Sequence, residues 1–287
     1  QPAGARGGAI RGHRSGARVT PTLRVLSLGA GVQSSTLALM AATGALADMP
    51  DAAIFADTGG EPRAVYDHLA RLETLLPFPV HRVSRGNLEA ELLAGAAGAS
   101  NGRPPFFVKN ADGSCGMLRR QCTHDYKLLP IHQKTRELAG LRPGERAAPD
   151  RLLVEQWIGI SCDEAARMSP SKHRYIKNRW PLIEQDMTRA DCARWLGARG
   201  FPLPPKSACV FCPYHDDGMW RALRDHDADG WARAVAVDAA VRTMRPEWAD
   251  AYVHRSLVPL DQADLRTVEE AGQGRLFDDE CAGMCGV

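Results

Sequence analysis

The chain has 287 residues, 44% of them hydrophobic, enough for one large or two small domains. Its net charge is only +2, but residues 1–24 carry Arg6, Arg11, Arg14, Arg18 and Arg24 with no acid, which leaves the rest of the chain slightly acidic. There is no run of 18 apolar residues and no apolar h-region near the start, so neither a membrane-spanning helix nor a secretory signal is expected, and a cytoplasmic location is.

In chain order, residues 1–22 form a Gly/Ala/Arg-rich arm, expected to be disordered and able to touch nucleic acid. An apolar strand at 23–28 then runs into Ser27-Leu28-Gly29-Ala30-Gly31-Val32-Gln33-Ser34-Ser35, and a helical pattern follows over 35–43. Strand, glycine-rich turn and helix in that order build a phosphate site. Gly29 and Gly31 can take positive φ and let backbone N–H groups approach an anion. Ser34 and Ser35 stand where the helix begins, so hydroxyls, free amides and the dipole converge. The loop lacks the lysine of a Walker sequence, and Ser34 stands where the dinucleotide fingerprint needs its third glycine. A second apolar strand, 52–57, ends in Asp57-Thr58-Gly59-Gly60-Glu61, and Pro62 is placed to open the next helix. That helix, 63–76, spaces Val65, Leu69, Leu72 and Leu76 as one buried stripe. A strand at 79–84 and a helix at 87–94 follow. The alternation predicts a parallel α/β sheet, with ligands at the carboxyl ends of its strands.

Residues 95–121 break the pattern and read as a long active-site loop. A helix is expected over 123–138, kinked or started at Pro130, then a charged connection over 141–150 and a strong strand at 152–161. Between 165 and 183 come Arg167, Lys172, Arg174, Lys177 and Arg179 with no acid, just after that strand's carboxyl end, which favours an anionic ligand. Arg119, Arg120 and Lys127 form a second basic set. Thr188 and Asp191 read as an N-cap and its N3 partner for a helix to about 199. After the stiff Pro202-Leu203-Pro204-Pro205, residues 218–243 are mostly helical, with Trp220, Leu223, Trp231 and Val235 packing on the body, and 258–280 look loosely structured.

Eight cysteines without a secretion signal argue for metal or redox chemistry rather than a disulfide framework. Cys209-Val210-Phe211-Cys212 is half a site for zinc, an iron–sulfur cluster or a dithiol. Cys122 is an available partner and Cys115 a candidate fourth ligand. Cys162 and Cys192 lie in apolar patterns and read as buried. Cys281 and Cys285 sit in the tail.

The pattern S-x-G-x-G-x-x-S-S, with the D-T-G turn at Asp57-Thr58-Gly59, resembles the PP-loop of ATP pyrophosphatases, in the branch that includes phosphoadenosine-phosphosulfate (PAPS) reductase. The likeness covers about residues 23–215 and the last eight. It implies a Rossmann-like sheet of the adenine nucleotide alpha hydrolase type flanked by helices over 23–200, and a cysteine-rich, partly helical C-terminal region over 201–287. It implies an adenine nucleotide, ATP above all, with Mg²⁺. Ser27, Gly29, Gly31, Ser34 and Ser35 would hold phosphates. Asp57, with Thr58 and Gly59, would face the nucleotide or its metal, and Arg167 and Arg174 would reach phosphates or sulfate. Lys127 lies in a segment resembling the family's cysteine-to-proline basic stretch, in which the family's first cysteine is here Gln121. Iron–sulfur members ligate a [4Fe–4S] cluster there. Here Cys122, Cys209 and Cys212 remain, either closed by Cys115 or leaving one iron open to sulfide. A zinc site using Cys115 is the alternative.

Glu280-Cys281 resembles the reductases' catalytic tail segment, and Cys285 could resolve a disulfide. Two enzymatic readings follow from the resemblance. One is adenylation of an acceptor with iron–sulfur-dependent sulfur insertion into tRNA or into a DNA phosphate (phosphorothioation), fed by a cysteine desulfurase. The other is reduction of PAPS or its unphosphorylated analogue through Cys281 with thioredoxin. A nucleotide-binding module without turnover is a third reading. A homodimer is compatible with any of them.

Overall fold

The computed structural model describes residues 23–95, 103–110, 112–148, 151–243, 251–266 and 270. The arginine-rich arm and the tail with Cys281 and Cys285 lie outside the described residues.

Five strands form one parallel sheet: β1 (Leu23–Ser27), β2 (Ala52–Asp57), β3 (Val80–Ser84), β6 (Val154–Ile158) and β7 (Ile176–Arg179). Their order is β3-β2-β1-β6-β7, and every neighbouring pair is parallel. The connection from β1 turns to β2 on one side, and β6 returns to β1's other side. The order therefore reverses at β1, and a crevice opens beyond the carboxyl ends of β1 and β6. The central strands are apolar on both faces, as helix-covered parallel strands must be: Val25, Leu26, Ala53, Ile54, Val154 and Trp157 are all buried.

Helix α1 (Val32–Ala42) follows β1, and α2 (Arg63–Leu75) follows β2. The expected stripe of α2 is buried as Val65, Leu69, Leu72 and Leu76, packed in one core with Leu37 and Phe55. Asn87 caps the short α3 (Leu88–Leu93) through the Ala90 N–H. The segment expected as a helix over 123–138, kinked or started at Pro130, is a π-type turn, Thr123–Leu128, running into α4 (Leu129–Leu138), which starts at that proline as the second alternative had it. Pro130 sits in the first turn of α4, where its missing N–H costs nothing. The short α5 (Pro181–Glu184) leads to α6 (Arg189–Ala198). Thr188 and Asp191 cap α6 reciprocally, as their spacing predicts.

The stretch over 95–121, expected as a long active-site loop, holds two strands. β4 (Phe107–Lys109) and β5 (Cys115–Met117) pair antiparallel, and β4 also pairs with β8 (Ala251–Tyr252). This small sheet shares a second core with α7 (Asp217–His226), α8 (Ala228–Thr243) and the cysteine segment, built on Phe106, Tyr126, Phe211, Trp220 and Val237. Leu223, Trp231 and Val235 pack against it, as expected. Cys192 is fully buried, whereas Cys162 is only half-buried. Among the described residues, no helix is long and apolar enough to cross a membrane.

Candidate nucleotide crevice and cysteine cavity

The β1–α1 turn and the carboxyl end of β6 bound an open crevice of about 880 Å³. Ser27, Gly29, Gly31, Gln33 and Ser34 line one side, and Gly159, Glu164, Arg167 and Arg189 the other. Lys127, Lys206 and Ser207 complete it. Four cations thus face one carboxylate, an arrangement that favours an anion. Burial raises the pKa of that carboxylate, Glu164, even though Arg167 Nη1 bonds to it at 2.8 Å.

Helix α1 starts at Val32, three residues before its expected start, and this redistributes the loop's roles. Ser34 lies in the first turn. Its hydroxyl accepts from the Gly29 N–H at 3.2 Å and lines the crevice. Ser35 is one position further round. It is fully buried, and its hydroxyl meets His68 Nε2 of α2 at 2.9 Å, away from the crevice. Gly29 and Gly31 do not take the positive φ expected of them. Gly31 is the extended N-cap, with φ −92°, and Ala30 between them takes the left-handed conformation at φ 55°. A compact residue there turns the chain, and both flanking glycines line the crevice. Ser27 accepts from Gln156 Nε2 at 2.7 Å, which fixes its hydroxyl at the strand end.

Asp57 lines neither cavity. Its Oδ1 accepts from the Gly59 N–H at 2.8 Å and from the Tyr66 hydroxyl at 2.7 Å, which secures the turn after β2. Burial, then that bond to Asp57, pushes the Tyr66 phenol far above its ordinary range, so it stays a donor. Gly59 has φ +73° and supports the turn. Thr58 faces a different space, with its Oγ1 3.2 Å from Cys209 Sγ.

That space is a second, partly open cavity lined by Cys122, Cys209 and Cys212 with Thr58, Arg120, Lys127, Phe211 and Tyr214. Three of the four expected ligands therefore line one cavity. Cys115 does not: it is exposed on β5, pairs across the hairpin with Lys109, and points its Sγ at the Arg255 carbonyl 3.7 Å away. Burial pushes the Cys209 thiol up to about 12 and raises that of Cys122. Both are neutral thiols unless a metal displaces their protons. Gln121, in the family's first cysteine position, accepts from Arg103 Nε at 3.4 Å. Among the described residues, no three His, Cys, Asp or Glu side chains are grouped closely enough to hold a single metal ion.

The basic run after β6 divides by position. Arg167 ends the short 3₁₀ segment Cys162–Arg167 at β6's carboxyl end and reaches the crevice. Arg174 precedes β7, at the opposite end of that parallel strand, and is exposed. Arg179 is structural: it bonds Glu184 and Asp48 and lies 4.9 Å from the Trp157 ring centroid. Arg189, Lys206 and Ser207 were not marked by their sequence context, because each follows a cap or a proline linker rather than a strand. Glu61 was legible only as part of the turn, yet it is completely buried.

No family model matches the chain, and no curated protein matches it. A solved structure to which it is similar is the phosphoadenylyl-sulfate (PAPS) reductase of Candida auris in complex with phosphate. The identity is 15% and the TM-score 0.44, over 64% of this chain and 76% of that one. The likeness is one of fold alone.

Proposed function

We propose that the chain is a nucleotide-dependent sulfur-transfer enzyme. It binds ATP in the crevice, with pyrophosphate leaving as an acceptor oxygen attacks the α-phosphorus. A sulfur nucleophile then displaces AMP from the adenylated acceptor. The observation that carries this reading is the wall common to both cavities: Lys127 lines the anion crevice and the three-thiol cavity alike.

The first-turn amides of α1 and the Ser34 hydroxyl hold phosphate oxygens, and Lys127, Lys206, Arg167 and Arg189 offset the charge that builds on the departing pyrophosphate. The described residues give the crevice one carboxylate, Glu164, so Mg²⁺ fits as a largely hydrated ion held by phosphate oxygens. Cys122, Cys209 and Cys212 would hold an iron–sulfur cluster. Three thiols that line one cavity match the all-thiolate ligation of such a cluster. When bound, such a cluster supplies a place to carry sulfide. Acceptors consistent with the basic rim are a tRNA base or a DNA phosphate.

The test is ATP labelled at the α-phosphate, incubated with the protein, inorganic sulfide as the sulfur donor, and total tRNA or duplex DNA. AMP and pyrophosphate are expected, lost in Ser34→Ala. ADP with orthophosphate, or no ATP binding at all, would overturn the reading.

A further inference from the structure

Glu61 has no solvent exposure, yet its carboxylate bonds side chains that line the two cavities. Oε1 accepts from Lys127 Nζ at 3.3 Å, and Oε2 accepts from the Ser207 hydroxyl at 3.2 Å. Both partners line the anion crevice, and Lys127 also lines the cysteine cavity. The backbone around Glu61 is clamped as well. Arg233 donates to the carbonyls of Glu61 and Gly59 while bonding the Glu89 carboxylate. The Gly60 carbonyl accepts from the Val210 N–H at 2.8 Å, which ties the turn to the cysteine segment. A Cβ at position 60 would stand 2.8 Å from the Phe211 ring and 3.2 Å from Cys209 Cβ, so the turn and the cysteine segment are in close contact.

A fully buried carboxylate beside an anion site is costly for binding, because it repels the ligand through a medium that screens poorly. Its presence calls for a gain elsewhere. We infer that Glu61 is a positioning residue: it gives up some nucleotide affinity to hold Lys127 and Ser207 in one geometry at the wall between the crevice and the thiols. This rests on the nucleotide reading above.

Glu61→Gln keeps the size and one acceptor oxygen but removes the negative charge. ATP affinity should then hold or rise, while the rate of pyrophosphate release falls about tenfold or more, the range in which misplaced groups act. Glu61→Asp, which restores the charge on a shorter stem, should recover native affinity and only part of the rate. A residue that merely stabilises the fold would instead lower affinity and rate together with the melting temperature.

A second readout needs no turnover. Lys127 is largely shielded, with its side chain 15% exposed. Amine-reactive labelling followed by mass spectrometry should show Lys127 modified several-fold faster in Glu61→Gln than in the native chain, with Lys134 and Lys177 unchanged. Equal labelling of Lys127 in both proteins overturns the inference, as does a rate that does not change in Glu61→Gln. If the native chain fails to bind ATP while the labelling difference appears, the nucleotide reading falls and the positioning of Lys127 by Glu61 stands.

Discussion

Gly159→Ala is the sharpest packing test of the crevice. Gly159 follows β6 and passes under the first turn of α1. A Cβ there would stand 2.9 Å from the Ser34 backbone nitrogen, 3.0 Å from its Cα and 3.2 Å from the Gln33 carbonyl carbon. These neighbours are backbone and cannot rotate away, so α1 must move off the sheet. Such overpacking costs about 1–3 kcal/mol, and at roughly 2–4 °C per kcal/mol for a domain of this size class the melting temperature should fall by roughly 2–12 °C. The same movement displaces the amides and the Ser34 hydroxyl that face the ligand, so ATP affinity should fall as well. Gly29→Ala is the control: its Cβ would meet only Ser34 Oγ, at 3.7 Å, and no positive φ has to be kept. That variant should melt with the native protein to within about 0.5 kcal/mol, as substitutions that create no cavity, strain or unpaired group do. Thermal unfolding followed by circular dichroism, with ATP affinity by titration calorimetry, reads both. A Gly159→Ala protein as stable as the native chain, beside a destabilised Gly29→Ala, would refute this packing argument.

The two serines of the loop should separate. Ser34→Ala should weaken ATP binding with little change in urea stability, whereas Ser35→Ala leaves half-buried His68 without its partner and should cost about 1 kcal/mol. Acid should destabilise the fold through His132, whose pKa is held down to about 4, first by burial and then by the facing His173 and Arg136. Because the folded value lies below the unfolded one, the unfolded chain takes up the proton first. Stability is therefore complete above about pH 6.5, falls as pH drops and levels off below about 4. The half-exposed ring limits the loss to roughly 1–2 kcal/mol, and unfolding at stepped pH should show a shallower decline in His132→Gln. Lys206→Ala should weaken ATP binding and make the remaining affinity less sensitive to salt, since one cation has left the crevice.

The parts of the fold that carry strong apolar signals were legible from sequence. β1 and β2 carry runs of buried Val, Leu, Ile and Ala that stand out, β6 is marked by Val154 and Trp157 either side of a polar pair, and α2 shows its stripe at helical spacing. The polar edge strand β7, Ile-Lys-Asn-Arg, carries no such signal and was hidden in a basic run. The β4–β5 hairpin was hidden in the same way: its strands are three residues each and depend on β8, more than a hundred residues later, for their pairing. The site divides along similar lines. Ser27, Gly29, Gly31 and Ser34 belong to one continuous turn and could be read from it. Cys122, Cys209 and Cys212 could be grouped because their chemistry is distinctive. Arg174 and Cys115 were misplaced because only the direction of β7 and the pairing of β5 show that they face away. Arg189, Lys206 and Glu61 reach the site by tertiary folding of segments whose local sequence reads as a cap, a linker and a turn.

The central claim is that a metal-bearing thiol site adjoins an ATP crevice. Iron, sulfide and zinc analysis of protein purified without oxygen, with the visible spectrum, tests it most directly. A coloured protein with about four irons and matching sulfide per chain is expected, the colour lost in Cys122→Ser, Cys209→Ser or Cys212→Ser and kept in Cys115→Ser. A colourless protein without iron, or one in which Cys115→Ser removes the metal as fully as Cys209→Ser does, would contradict it.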